Sequence, residues 1–215
     1  MAEARDARLH TLEACFGLAL EAGSNTSSRE FVGRALALAS RQLGAARVSF
    51  IVPAEARGEW TFAGALGIGD SVLQGGAVTV RDNVLSEVLR SRAAVACASM
   101  DADRRFGANK KLRYKTKSFL VAPALVRGQV RCFFCATERD EGAFAEGDLG
   151  FAGDLVRIFA PIYELLVRGE RAKERLLDEA ELRRIRSAQD RLHARPAAFA
   201  GLDHAVLHHA AEGAR

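Results

Sequence analysis

The chain has 215 residues, of which 49% are hydrophobic and 27% are charged. This composition is typical of a globular protein and excludes a mainly disordered chain. The length suits one core domain with helical extensions. A formal net charge of +4 is too small to make nucleic-acid binding the expected activity.

Membrane insertion and secretion are not expected either. No apolar run is long enough to cross a bilayer, and the opening MAEARDARLHTLEA lacks the basic-then-apolar order of a signal peptide. We therefore predict a cytoplasmic protein without membrane contact. The cysteines are Cys15, Cys97, Cys132 and Cys135. They are too scattered for a disulfide framework, so we expect reduced thiols.

Two helices are predicted at the start of the chain. Apolar residues recur at helical spacing from Arg5 to Ala22, and we assign residues 1–26 to an N-terminal helical segment. Ser27 and Glu30 have the spacing of a capping box, which predicts the start of a second helix that ends at Gly44.

The apolar period then changes to two, which is typical of strands. Strands are predicted at 47–52, 60–67, 77–80, 93–97, 118–125 and 129–138. A helix beginning after Asp82 and a basic loop at 100–117 interrupt them, and Val126–Gln129 forms a predicted hairpin turn. A last helical pattern runs from Asp148 to about Leu192. This order favours an α+β fold in which helices cover one face of an antiparallel sheet, extended by a long C-terminal helix.

The second half of the chain contains a recognisable set of motifs. They are Asp103, Arg105-Phe106, Tyr114-Lys115-Thr116-Lys117-Ser118, Pro123 inside a strand, and Phe144 with Asp148-Leu149 at the start of the last helix. This set resembles a GAF domain, over residues 27–166. The resemblance implies a sensory or regulatory module, usually without enzymatic activity. It also implies a small-molecule pocket on the sheet face opposite the helices, roofed by the basic loop.

The basic loop is the candidate site for an anion. Between residues 104 and 117 there are seven basic side chains and no acidic one: Arg104, Arg105, Lys110, Lys111, Arg113, Lys115 and Lys117. This pattern favours a small anionic ligand or a nucleotide, and the alternative is a solvated loop that is basic for solubility.

Six residues are the candidate ligand contacts. Trp60 and Phe62 would form an apolar wall, and the alternative is that both are plain core residues. The polar candidates are Asn109, Tyr114 and Thr116 as hydrogen-bonding groups and Arg105 as the charge.

Two other GAF functions remain open. The chain resembles cyclic-nucleotide-binding GAF domains through Arg105-Phe106 and Tyr114-Lys115-Thr116. Asn109-Lys110 and Phe144 with Asp148 match part of the Asn-Lys-Phe-Asp-Glu signature of those domains. However, where those domains have a glutamate this chain has Leu149, and where they usually have a Thr-Gly pair it has Leu112-Arg113. The other alternative is a structural dimerisation domain that binds no ligand. A GAF-type methionine sulfoxide reductase needs reactive cysteines in the pocket loop, and residues 100–117 contain none.

Neither a metal, a cofactor nor a catalytic residue is predicted. Cys132 and Cys135 have the spacing of a zinc or redox motif, but residues three apart on a strand point to opposite faces. All histidines lie outside residues 27–166, which excludes haem ligation or a catalytic histidine in the predicted domain.

The end of the chain contains two more segments. Residues 167–195 are predicted to continue the last helix as a signalling helix with an irregular apolar stripe. We expect a homodimer through the terminal helices, and the alternative is a lone helix packed on its own domain. Residues 196–215, through Pro196 and Gly201–Ala205, resemble the lead-in to a sporulation- and stress-type PPM serine/threonine phosphatase. The metal-binding Gly-Gly-Asp motif of that family is expected beyond Arg215.

Overall fold

The structure is a computed structural model that describes residues 26–54, 56, 58–69, 77–80, 84–99, 103 and 118–193, together with Glu13 and Gly17. Almost all of the predicted first helix and of the basic loop, and the whole predicted phosphatase-like segment 196–215, therefore lie outside the described residues. The chain divides into two compact units, Met1–Val167 and Arg168–Arg215.

The described part has three helices and six strands, and it confirms the predicted α+β class. In chain order they are α1 (Ser28–Leu43), β1 (Ala45–Pro53), β2 (Trp60–Leu66), β3 (Ala77–Val78), α2 (Val84–Ser91), β4 (Val95–Cys97), β5 (Phe119–Val126), β6 (Gln129–Arg139) and α3 (Glu146–His193). None of these helices is long and apolar enough to span a membrane.

Helix α1 begins and ends at the residues that the sequence predicts. The Ser27 hydroxyl accepts a hydrogen bond from the Glu30 backbone N–H at 3.1 Å, which satisfies a donor at the helix start. At the other end Gly44 has a φ of 54°, a left-handed conformation that glycine adopts without strain.

The six strands form one antiparallel sheet in the order β3-β2-β1-β6-β5-β4. The β5–β6 hairpin turns through Arg127 and Gly128, both with positive φ, as a two-residue type I′ turn requires. Gly64 of β2 lies so close to α1 that an added Cβ would meet Val32 Cγ1 at 2.4 Å. Only glycine therefore allows β2 and α1 to pack at this distance.

The two faces of the sheet are covered differently. On the first face, α1 and the start of α3 enclose an aromatic core in which the Phe50 and Phe159 rings stack at 3.6 Å. On the second face, the short helix α2 packs its apolar residues against the sheet. The long helices at the two ends of the domain thus cover one face, as predicted, and the other face is left with α2 alone among the described helices.

Candidate functional site

The second face of the sheet carries polar side chains at its centre. Ser49 on β1 lies directly opposite Cys135 on β6, and Arg47 lies opposite Thr137 in the same strand pair. Directly opposed residues in an antiparallel pair share a face. Ser49 is only 3% exposed and Thr137 only 8%. Two buried hydroxyls, a thiol and the Arg47 side chain therefore interrupt the apolar surface of this face.

The two aromatic candidates both lie on this face. Trp60 is 9% exposed and its ring centroid is 4.6 Å from that of Phe133. Phe62 is only partly buried and packs against the same cluster. The structure brings the two residues together, and Phe62 is the one that retains surface for a ligand. Their role in binding stays a prediction.

The four polar candidates, Arg105, Asn109, Tyr114 and Thr116, lie outside the described residues. Their assignment as ligand contacts and the predicted anion site therefore also stay predictions.

The cysteines of β6 lie on opposite faces, as strand alternation predicts. Cys132 belongs to the first-face core and Cys135 packs against the second-face cluster. Burial raises the pKa of Cys135 to about 12, although a hydrogen bond with the Ser49 side chain partly opposes the shift. The pKa of Cys132 is raised well above its usual value by burial and then by repulsion from Cys135. Both thiols are protonated at neutral pH, which makes them poor nucleophiles and poor metal ligands.

Among the residues that the structure describes, no group of three or more histidine, cysteine, aspartate or glutamate side chains could hold a metal ion.

An ion pair borders the second face. Arg47 and Glu138 approach to 3.0 Å, and Glu138 is 8% exposed with a φ of 56°. A left-handed conformation is strained for glutamate. The end of β6 therefore places one charged pair beside Thr137.

Sequence reasoning missed four of these residues as site residues: Arg47, Ser49, Cys135 and Thr137. One signal could have found three of them. Ser49, Cys135 and Thr137 are polar or weakly polar residues at alternate positions inside strongly apolar strands.

Strand β6 is also tied to α3 near both of its ends. Arg131 pairs with Glu164 at 2.9 Å, and Arg139 pairs with Asp148 in the first turn of the helix. Arg139 also donates to the Ala143 carbonyl oxygen at 3.3 Å, and Asp148 accepts from the Ala145 N–H at 2.7 Å. The strand that supplies part of the second face is thus held against the long helix by two separate ion pairs.

Comparisons with known proteins agree with this fold. A family model described as GAF domain matches residues 28–160. The chain is similar to the GAF domain of a phosphoenolpyruvate-protein phosphotransferase (ptsP) from Coxiella burnetii, with 14% identity, 77% of this chain and 97% of that chain covered, and a TM-score of 0.61. No curated protein sequence matches the chain.

Two further solved structures show that the fold serves different proteins. One is a GAF domain/HD domain protein from Geobacter sulfurreducens, with 18% identity, 66% of this chain and 94% of that chain covered, and a TM-score of 0.52. The other is free methionine-R-sulfoxide reductase from Neisseria meningitidis, in complex with its substrate. It has 17% identity and a TM-score of 0.58, with 77% of this chain and 93% of that chain covered. At these identities the likeness establishes the fold alone.

The predicted GAF resemblance is thereby confirmed, whereas the phosphatase resemblance of residues 196–215 lies outside the family match and stays a prediction. With the family model covering residues 28–160 and the same fold in the solved structures, the chain belongs to the GAF domain family, a sensory and regulatory fold of signalling proteins.

Proposed function

We propose that this chain is a sensory GAF domain without enzymatic activity. In this proposal it binds a small anionic ligand on the second face and relays binding through α3, as a homodimer, to a C-terminal output domain. The observation that carries the proposal is the central position of Ser49, Cys135 and Thr137 on the second face.

The contrast with the first face supports a binding role. A buried hydroxyl stabilises a fold less than an apolar group of the same size, because it must find hydrogen-bond partners. In β1 and β6, the side chains that enter the first-face core include Val48, Phe50 and Phe134, whereas the second-face side chains of the same strands include Ser49 and Thr137. We take these two hydroxyls as hydrogen-bonding groups for a ligand.

The expected charge of the ligand rests on the sequence. Seven basic side chains between residues 104 and 117 would repel each other until an anion neutralises them. A nucleotide, a cyclic nucleotide or a carboxylate has the required charge.

The ion pairs of β6 support the relay. Asp148 and Glu164 are separated by 16 positions of one helix, a distance of about 24 Å at 1.5 Å per residue. Because Arg139 and Arg131 hold both points, a ligand that shifts β6 would shift the start of α3 with it.

Exposed apolar residues support dimerisation of the helix. In the second compact unit, Leu176 is 66% exposed and Leu177 69%, and Leu182 and Ile185 are also exposed. A helix with such a surface gains stability when a second helix covers it. Sedimentation of the full chain checks this, and a monomer at high concentration contradicts it.

The proposal also includes an output domain and a cytoplasmic location. The loose resemblance of residues 196–215 favours a PPM phosphatase output, and sequencing the gene beyond the codon for Arg215 checks whether a Gly-Gly-Asp motif follows. Fractionation of the native cells checks the cytoplasmic location.

Ligand binding is tested by thermal unfolding of the full chain against cyclic nucleotides, nucleotides and carboxylates. We expect at least one compound to raise the melting temperature, and the increase to shrink in Ser49→Ala and Thr137→Val. Ser40→Ala is the matched control, because its hydroxyl donates to the Ala45 carbonyl oxygen at 2.9 Å and lies away from the second face. If no compound shifts the melting temperature, the structural dimerisation domain is the better description. A response limited to cyclic nucleotides would select the cyclic-nucleotide alternative.

The absence of reductase activity needs its own assay, because a reductase shares the fold. The raised pKa values of Cys132 and Cys135 argue against thiol catalysis by these residues. Reduction of free methionine-R-sulfoxide by the chain in the presence of a thiol reductant would overturn this part of the proposal.

A further inference from the structure

A cavity of about 290 Å³ lies at the corner where β5 meets the start of α3. Ala122 and Leu149, which line it, belong to the first-face core or pack against it. Pro123 and Leu125, which also line it, pair with Phe133 and Val130 of the second-face cluster. The cavity, which we call the corner cavity, therefore lies at the edge of the sheet rather than on one of its faces. Its size is near the lower end of the range of roughly 300–1,000 Å³ found for small-molecule sites.

The charges around the corner cavity favour an anion. Arg92 and Arg157 line it together with Asp154. Asp154 lies 3.5 Å from Arg157, and its side chain is 11% exposed whereas that of Arg157 is 78% exposed. One aspartate neutralises only one of the two arginines, so the lining has one positive charge in excess. This excess matches a ligand with a single negative charge.

The α3 side of the corner cavity contains two glycines, which have no side chains to fill it. Gly150 and Gly153 lie inside α3, and a Cβ added to either would meet nothing within 4 Å. Glycine is unfavourable in a helix interior, and packing within the described chain does not require it at these positions. The two glycines leave room for a ligand to reach the helix backbone.

Arg92 is also an unfavourable choice for its position. Its φ is 58°, and its N–H donates to the Val88 carbonyl oxygen at 2.8 Å, so it ends α2 in a left-handed conformation where glycine is usually preferred. An arginine at this position gives the corner cavity a guanidinium that glycine would not supply.

The rest of the lining is apolar. Leu125 is 46% exposed, and Pro123 and Leu149 lie beside it. A free inorganic anion would leave this surface uncovered. A planar carboxylate fits the guanidinium group through paired hydrogen bonds, and an attached hydrocarbon group would cover the leucines.

We propose that the corner cavity binds a small monocarboxylate with a short aliphatic or aromatic group. The carboxylate lies between Arg92 and Arg157, and the hydrocarbon group packs against Leu125 and Leu149. Ser49, Cys135 and Thr137 do not line this cavity, and the proposal does not depend on the function proposed for them.

The test is a titration of the full chain followed by amide NMR shifts, with benzoate and butyrate as probes. Inorganic phosphate is the anion without a hydrocarbon group, and benzyl alcohol is the neutral aromatic compound. We expect saturable shifts of Gly150 and Gly153 with the carboxylates at concentrations up to about 20 mM, which corresponds to weak binding. The two control compounds should give no saturable shift at these residues.

Three variants locate the site. Arg92→Gln and Arg157→Gln should each weaken benzoate binding about tenfold, as expected for the loss of a charged hydrogen-bond donor. Gly153→Leu should abolish binding by filling the cavity, and the protein should stay folded because leucine favours the helix. Arg90→Gln is the matched control, since Arg90 pairs with Glu87 and does not line the cavity.

Each result decides the proposal. Absence of saturable shifts at Gly150 and Gly153, or unchanged affinity in Arg157→Gln or Gly153→Leu, would overturn it. Equal binding of phosphate would overturn the carboxylate class. Carboxylate shifts confined to Ser49 and Thr137 would also overturn it while supporting the second-face site, so the two proposals fail independently.

Discussion

The two faces of the sheet are formed by the same strands but differ in the side chains that they carry. On the first face, Phe50 and Phe159 are fully buried and stacked, and α1 and α3 close over them. On the second face, Phe62 stays partly exposed and polar groups lie among the apolar ones. The first face thus combines helix and sheet in an apolar core, whereas the second face combines apolar packing with polar groups.

Strand β6 shows how one segment serves both faces. Cys132 and Phe134 point into the first-face core, whereas Phe133 and Cys135 point to the second face. A change on either face therefore acts on the same backbone. The following predictions compare how much residues of the two faces contribute to the free energy of unfolding.

The largest expected effect is a loss of first-face aromatic packing. Phe159→Ala should lower the free energy of unfolding by about 3–5 kcal/mol, because Phe159 is fully buried and stacks on Phe50. Phe62→Ala should cost less, about 1–2 kcal/mol, since part of its ring already contacts water. Urea unfolding of the two variants makes the comparison. Equal losses would contradict the assignment of stability to the first face.

The second prediction concerns the close approach of β2 to α1. Gly64→Ala should destabilise the protein by about 1–3 kcal/mol, because the new Cβ would meet Val32 Cγ1 at 2.4 Å. Val32→Ala in the same chain should recover part of this loss, which a double-mutant cycle measures. A stabilising effect of Gly64→Ala would mean that the first face is looser than described.

The third prediction compares the two thiols of β6, Cys132 and Cys135, through the pH dependence of stability. The pKa of Cys135 is raised from 9.0 to about 12, so the native state keeps a proton that the unfolded state loses above pH 9. Stability should therefore fall as pH rises from about 9 towards 12, and Cys135 should account for about 1 kcal/mol of the loss by pH 10.

Variants separate the contributions of the two thiols. Cys135→Ala should reduce the loss between pH 8 and pH 10, and Cys132→Ala should reduce it as well, because burial also raises the pKa of Cys132. Unfolding curves across this range provide the measurement. A pH dependence in Cys135→Ala equal to that of the starting protein would show that the thiol is accessible to water.

Features set by neighbouring residues could be predicted from the sequence. The Ser27 cap, the Gly44 end of α1 and the Arg127-Gly128 turn each depend on a few consecutive residues, whose conformational preferences are strong. The period-two strands likewise follow from local alternation.

Features set by distant residues could not be predicted. The ion pair between Arg131 and Glu164 joins residues 33 positions apart, and the pairing of Ser49 with Cys135 depends on the order of strands in the sheet. No local preference encodes either. The sequence therefore suggests Trp60 and Phe62, whose role in binding stays a prediction, but not the polar second-face residues Ser49 and Thr137.

The smallest expected effect on the free energy of unfolding comes from a change at Gly153, where first-face packing ends. Gly153 lies in α3, and a Cβ there would meet nothing within 4 Å, in contrast to Gly64. Gly153→Ala should therefore raise the free energy of unfolding by about 0.5–1 kcal/mol, because alanine favours the helix and restricts the unfolded chain. The same glycine-to-alanine change thus has opposite signs at two positions on one side of the sheet. Thermal unfolding of both variants in one buffer tests this difference. A destabilising Gly153→Ala would mean that the corner beside α3 is already filled in solution, and the contrast between packed and open parts of the first face would be lost.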